Sequence, residues 1–160
     1  MSVISLMGEY DCKLDAKGRV MMPSALKKQI PAESQNTFVI NRGFEKCLVI
    51  YPKAEWDLIS QELNKLNLFS KNNRDFFRYF MRGASMLELD ANNRFLIPKN
   101  LLEYAGATKE IVLFAYSNRI EVWDKSSYEN LLSDEPRDFA SLAEEVMVQK
   151  ANGEKETNIS

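Results

Sequence analysis

One ten-residue pattern occurs twice in this chain, and the duplication constrains the fold more than any other feature of the sequence. The first copy is LDAKGRVMMP at residues 14–23, and the second is LDANNRFLIP at residues 89–98. Outside the pattern, the same offset of 75 positions relates Gly8 to Gly83 and Leu26 to Leu101. The chain is therefore predicted to contain two copies of one structural repeat, forming a pseudo-symmetric binding module rather than a catalytic pocket.

The centre of each copy has the composition of a tight hairpin turn. Asp15 and Asp90 suit the first position of a type I turn, where the carboxylate accepts backbone N–H groups. Gly18 occupies the place where a three-residue hairpin loop needs a left-handed residue. Asn93, the next most tolerant residue for that conformation, occupies the equivalent place in the second copy. These four residues are predicted to support the turns.

One arginine follows each turn, Arg19 in the first copy and Arg94 in the second. Each lies four residues after an aspartate, across the hairpin from it. Two interpretations follow from the turn chemistry alone: the pair closes the hairpin as a surface ion pair, or the arginine faces a ligand.

The rest of each repeat has the same order of predicted elements. Each contains a strand, the turn, a second strand, a short helix after Pro23 or Pro98, and a hairpin. The predicted strands cover residues 10–14, 19–22, 38–40, 47–51, 111–114 and 120–123. Such short strands form little core within one repeat, so both repeats are expected to close into one small β-barrel. The predicted class is mainly β with flanking helices (α+β).

Five segments follow from this interpretation. They are the first repeat (7–54), a helical extension (55–82), the second repeat (83–126), C-terminal helices (127–150) and a disordered polar tail (151–160). The aromatic run at 76–80 is interpreted as a core or subunit-contact helix rather than a platform that stacks bases. We expect a homo-oligomer, because a small barrel cannot cover all the apolar side chains on these helices. Those side chains are Trp56, Phe76, Phe77, Tyr79, Phe80, Phe139 and Met147.

Composition argues against several classes of function. The 160 residues contain no histidine, which removes Ser-His and Cys-His nucleophile pairs and the commonest metal ligand. Cys12 and Cys47 are too few for a structural zinc site and are predicted to be reduced core residues within strands. There is no phosphate-binding glycine loop or membrane-length apolar run, and we expect no signal peptide. The expectation is a cytoplasmic protein that is not an enzyme and has no cofactor, metal site or membrane partner.

Net charge argues against a general nucleic-acid binder, but the charge distribution weakens that objection. The whole chain carries −2, whereas residues 133–160 alone carry −4 and the remainder +2. Residues 8–31 of the first repeat carry +2, and the equivalent residues 83–106 carry −1. The first repeat is therefore the better candidate for a phosphate-facing surface. Several copies are expected to act together, because a few basic residues bind weakly alone.

Together these motifs resemble the bacterial MraZ family. The resemblance rests on the two Asp-x-x-x-Arg turns with their following prolines and on several shorter motifs. Those motifs are Arg42-Gly43, the run from Cys47 to Pro52, Glu55-Trp56, residues 78–83, and the run from Ile120 to Trp123. The similarity covers residues 8–148. It implies two AbrB-type swapped-hairpin repeats in one pseudo-two-fold double-split β-barrel, and a ring-shaped homo-oligomer.

The resemblance also implies a nucleoid-associated transcription regulator that binds repeated double-stranded DNA sites upstream of the division and cell-wall gene cluster. The family's DNA-contacting arginine falls on Arg19 with Lys17 beside it, and Arg94 matches the same motif. Arg19 is expected to contact guanine in the major groove, while Lys17 and Lys13 hold phosphates. The alternative is a protein-interaction module, like the antitoxins that share this fold, acting through its acidic C-terminal segment.

Overall fold

The computed structural model describes residues 4–133 and 138–159. The chain forms two compact bodies, Met1–Tyr128 and Glu129–Ser160. The first body contains both sequence repeats. The second contains the end of one helix and the C-terminal helix.

The two repeats share a common order of two strands, a short helix, two strands and a longer helix, and the first has an additional 3-10 helix and an additional α-helix. The first consists of β1 (Leu6–Lys13), β2 (Arg19–Met21), α1 (Ser24–Lys27), a 3-10 helix (Ala32–Ser34), β3 (Thr37–Arg42), β4 (Leu48–Pro52), α2 (Lys53–Leu63) and α3 (Lys71–Met81). The second consists of β5 (Ser85–Glu88), β6 (Arg94–Leu96), α4 (Lys99–Ala105), β7 (Glu110–Ser117), β8 (Arg119–Asp124) and α5 (Lys125–Ser133). The last helix is α6 (Phe139–Ile159). Pro23 and Pro98 directly precede α1 and α4, where the fixed φ of proline suits the start of a helix.

The two repeats exchange strands. Six strands form one antiparallel sheet in the order β1-β7-β8-β4-β3-β5, and β2 and β6 form a separate two-stranded ribbon. The first strand of each repeat therefore pairs with the third strand of the other repeat, β1 with β7 and β5 with β3. Neither repeat completes its sheet without the other.

The six-stranded sheet has apolar clusters on both faces. The main core packs the sheet against the β2–β6 ribbon, α1 and α4, and includes Val20, Leu26, Phe38, Leu48, Phe95, Leu101, Ile111 and Ile120. A second cluster joins Trp56 of α2 to Val39, Val49 and Tyr51, with Phe80 of α3 packed against it. A third joins Trp123 and Tyr128 to Cys47 and Val112. Burial on both faces explains the nearly continuous apolar sequences of β3 and β4.

This architecture confirms the predicted mixed α+β class, with a mainly antiparallel sheet. The ladders between the described strands leave β1 and β5 as edges, so they do not close into the predicted barrel. The reason is that the three-residue strands β2 and β6 pair only with each other, and not with the edges of the large sheet.

Several element boundaries differ from those predicted. β1 begins at Leu6 rather than at residue 10, because its pairing with β7 extends to that residue. Cys47 lies in the loop before β4, not within the strand, although it is buried. α6 continues through residues 151–159, a segment for which the sequence predicts disorder. Residues 134–137 of the predicted C-terminal helices (127–150) lie outside the described residues.

Candidate nucleic-acid interface

The two predicted turns have the same backbone geometry. In the first, Gly18 N donates to Asp15 O at 3.0 Å, and Asp15 N donates to Arg19 O at 3.0 Å. The equivalent bonds around Asp90 measure 3.0 and 2.8 Å. Gly18 has a φ of +87° and Asn93 a φ of +60°, so both lie in the left-handed region.

Each aspartate carboxylate holds both its turn and its arginine. Asp15 Oδ1 accepts hydrogen bonds from the backbone N–H groups of Lys17 and Arg19, both at 2.9 Å. Asp15 Oδ2 accepts a hydrogen bond from Arg19 Nε at 2.6 Å. Asp90 accepts the same three bonds in the second turn, including one from Arg94 Nε at 3.0 Å.

These hydrogen bonds favour the ionised form of both carboxylates. The backbone N–H of Arg19, followed by its guanidinium, lowers the pKa of Asp15 to about 2. The backbone N–H of Arg94 is likewise the largest cause of the lowered pKa of Asp90. At neutral pH each arginine is therefore held by a charged partner.

The turns present both arginines on one face of the β2–β6 ribbon. The register pairs Arg19 with Leu96 and Met21 with Arg94. The intervening residues, Val20 and Phe95, are buried in the main core. Because strand side chains alternate between faces, the outer face carries Arg19, Met21, Arg94 and Leu96.

Among the described residues, the partner of each arginine side chain is an aspartate bound through Nε. The side chains of Arg19 and Arg94 are 31% and 29% exposed. No residue in the described part of the chain hydrogen bonds to their Nη atoms. A guanidinium fixed through Nε still has donors on both Nη atoms, a geometry suited to two adjacent acceptors.

Both turns are fixed to the opposite repeat. Ile97 N donates to Gly18 O at 3.0 Å, and Met22 N donates to Asn93 O at 2.8 Å. Gly18 is also buried against α4, where a Cβ atom added to it would lie 3.1 Å from Leu102 Cδ1. These contacts hold the arginines on rigid elements, as a binding site of defined geometry requires.

The two predicted lysines occupy different surroundings. Lys17 is exposed beside the first turn and borders a cleft of about 520 Å³. Lys13 ends β1 and lines a different cleft, of about 680 Å³, together with Lys109, Glu110, Asp124 and Lys125. Lys17 therefore lies in the turn that holds Arg19, whereas Lys13 has neighbours of both charges.

One basic residue at the second turn was not predicted from the sequence. Lys27, the last residue of α1, donates from Nζ to Asn93 Oδ1 at 2.7 Å. Its equivalent by the offset of 75 positions is Leu102, which covers Gly18 of the first turn. This mismatch between the two copies, lysine in one and leucine in the other, is the sequence signal that could have identified Lys27.

Other chemistries lack supporting groups in the described part of the chain. It contains no cluster of three or more metal-ligating side chains. Cys12 and Cys47 are both free. Burial raises the pKa of Cys12 to about 11 and that of Cys47 to about 12, so both thiols stay protonated and unreactive at neutral pH. Among the described helices, none has the length and apolarity to span a bilayer.

Comparison with known proteins identifies similar sequences over nearly the whole chain. A family profile described as "MraZ protein, putative antitoxin-like" matches residues 5–79 and again residues 80–150. A curated protein of Christiangramia forsetii is 52% identical over 91% of this chain and 94% of its own length. One from Flavobacterium psychrophilum is 51% identical over 89% and 92%. One from Natranaerobius thermophilus is 36% identical over 88% and 96%. Each is named "Transcriptional regulator MraZ".

Proposed function

The chain belongs to the MraZ family, and from this premise we propose that it is a sequence-specific DNA-binding transcriptional regulator. Its curated relatives carry the name of transcriptional regulators. The observation that carries the proposal is the outer face of the β2–β6 ribbon. Arg19 and Arg94 share that face, each held through Nε with its Nη atoms available to a ligand.

The ribbon fits the dimensions of DNA. The major groove of B-DNA admits a two-stranded β-ribbon. Arg19 lies opposite Leu96, two residues from Arg94, so the arginines are diagonal neighbours with Cα atoms about 7–8 Å apart. This separation is smaller than the width of the major groove, about 12 Å, so both arginines fit within one groove.

Guanine is the base that the arginines recognise in this proposal. Its O6 and N7 atoms are adjacent acceptors in the major groove, and they match the paired Nη donors of a guanidinium. Asp15 and Asp90 act through the arginines, by fixing each guanidinium through Nε. Lys17 binds phosphate beside the first turn, and Lys13 binds phosphate at the end of β1.

The proposal includes the arrangement of strands that the family resemblance implies. The exchange of β1 and β5 between the repeats supports swapped-hairpin units. The ribbon packed across the core of the large sheet supports a double-split arrangement, in which ribbon and sheet enclose one core while the edges β1 and β5 stay open.

A ring-shaped homo-oligomer completes the proposed regulator. Tyr79 and Phe76 of α3 are 71% and 44% exposed, which is typical of side chains that bury at a subunit interface. Several subunits would bind repeated sites at once, in the cytoplasm and nucleoid, upstream of the division and cell-wall gene cluster.

A second candidate function is a protein-interaction module that acts through its acidic C-terminal segment. The observation in its favour is α6, which leaves Phe139, Val146 and Met147 exposed beside Glu144 and Glu145. Such a helix suits a basic groove with apolar pockets.

The test is binding of the full chain to a DNA fragment from upstream of its own gene, measured by fluorescence anisotropy between 50 and 200 mM salt. A regulator of the proposed kind binds this fragment more tightly than a scrambled one of equal length. Its affinity falls steeply with salt, by about 10³-fold if six phosphates are neutralised. Equal affinity for both fragments, or no salt dependence, contradicts the proposal and favours the protein-interaction module.

A further inference from the structure

The two turns differ in the residue that reaches them from the opposite repeat. At the first turn that residue is Leu102 of α4, whose methyl group packs over Gly18. At the second turn it is Lys27 of α1, whose ammonium group is bonded to Asn93 Oδ1 at 2.7 Å. Sequence position assigns Lys27 to the first repeat, but its charge lies at the second turn.

This placement changes the charge of the two ends of the ribbon. The first turn has its own lysine, Lys17, where the second has Asn92. Lys27 supplies a basic residue at the second turn, while Lys99 of α4 lines the cleft beside Lys17 at the first turn. Both ends of the ribbon therefore carry basic residues in the folded chain.

The ammonium group of Lys27 is available to an anion. None of the described carboxylates forms an ion pair with it, and its hydrogen bond to Asn93 uses one of three N–H donors. Lys27 is half-buried, whereas Lys17 is exposed. The hydrogen bond restricts the side chain before binding, so less conformational entropy is lost when Lys27 meets a ligand.

The antiparallel ribbon sets where these two lysines act. Each turn directly precedes its own strand, β2 or β6, and the two strands run in opposite directions. The two turns consequently lie at opposite ends of the ribbon, with Lys17 at one end and Lys27 at the other. A ribbon lying across a groove has a phosphate backbone at each end.

We propose that Lys27 is the phosphate-binding residue of the second turn, so that one chain grips both DNA backbones, through Lys17 at one end of the ribbon and Lys27 at the other. This inference rests on the proposed DNA-binding function. It assigns the second repeat a direct part in binding and explains how Asn93 can replace glycine there: its side chain positions the lysine of the other repeat.

The test compares Lys27→Gln with Lys28→Gln, which removes the same charge one residue further along and whose side chain is exposed. Lys17→Gln and Arg19→Ala are measured beside them, on the upstream DNA fragment across a salt series. Each phosphate contact contributes about 0.9 to the slope of log affinity against log salt. Lys27→Gln and Lys17→Gln should each lower the slope by about that amount per bound subunit. Lys28→Gln should leave the slope unchanged, and Lys27→Arg, which keeps the charge, should retain the wild-type slope.

The outcomes separate this inference from the proposed function. If Lys27→Gln matches Lys28→Gln while Lys17→Gln and Arg19→Ala weaken binding, the role of Lys27 is wrong and the DNA-binding function stands. If Lys27→Gln weakens binding without changing the slope, Lys27 acts only on the turn structure, and the inference is also wrong. If Arg19→Ala and Lys17→Gln both leave binding unchanged, the proposed function itself fails. Urea denaturation of Lys27→Gln shows whether the fold is retained. If the fold is lost, the salt slopes of Lys27→Arg, which keeps the charge, and Lys27→Met, which removes it, are compared instead.

Discussion

Gly18→Ala is expected to be among the most destabilising small substitutions in the first turn. A non-glycine residue in the left-handed region costs about 1–2 kcal/mol. The new Cβ would also lie 3.1 Å from Leu102 Cδ1 and 3.3 Å from Ile97 O, closer than ordinary van der Waals contact. Crowding of a packed site adds about 1–3 kcal/mol. The substitution should therefore destabilise the fold by about 2–5 kcal/mol.

Gly106 provides the matched control. It too is left-handed, with a φ of +66°, but a Cβ atom added there meets nothing within 4 Å. Gly106→Ala should cost only the conformational term, about 1–2 kcal/mol. Urea denaturation measures both variants, and the expected difference of about 1–3 kcal/mol corresponds to a midpoint shift of roughly 0.5–1.5 M at a slope of about 2 kcal/mol/M.

A double-mutant cycle with Leu102→Ala tests the cause of the difference. Removing the nearer contact should make Gly18→Ala less costly by about 1 kcal/mol, since the two residues are in direct contact. Equal destabilisation by Gly18→Ala and Gly106→Ala, or no coupling to Leu102, would refute the steric argument. The close packing also predicts that asparagine, accepted at position 93, is not accepted at position 18.

Two further predictions concern acid stability and assembly. The pKa of Asp15 is lowered to about 2 from its ordinary value of 3.8, so its contribution to stability is complete above pH 4 and is lost as the pH falls towards 2. Asp15→Asn should therefore have a melting temperature that falls less steeply than that of the wild type over this range; parallel curves would contradict the assigned hydrogen bonds. Tyr79→Glu should reduce the particle mass measured by light scattering, because Tyr79 is 71% exposed on α3. A wild-type mass near the single-chain value of 18.4 kDa would rule out the oligomer.

The turns could be predicted from the sequence because their determinants are local. Asp15 and Gly18 bond to each other within four residues, and Asp90 and Asn93 repeat the arrangement. Proline after the second strand of each repeat likewise marks the short helices. The order of elements in both repeats follows from such short-range signals, apart from shifts of a few residues at the ends.

The features that the residues alone did not predict depend on distant pairings. The pairing of β1 with β7 joins residues about 100 positions apart, and only the family resemblance implied such an exchange. The contact between Lys27 and Asn93 spans 66 positions and crosses from one repeat to the other. No periodicity within a short window carries that information. A position-by-position comparison of the two copies carries this information, because Lys27 in the first copy corresponds to Leu102 in the second.

The central claim is that the arginines of the ribbon read the DNA sequence. It is tested most directly by measuring the affinity of Arg19→Ala for the upstream and scrambled fragments at one salt concentration, with Lys28→Ala as the control. A bidentate contact from arginine to guanine is worth about 1–3 kcal/mol, or about 5- to 150-fold in affinity for each subunit bound. Arg19→Ala should therefore lower the preference for the upstream fragment by at least fivefold, while Lys28→Ala retains it. An Arg19→Ala protein with undiminished preference would contradict the claim.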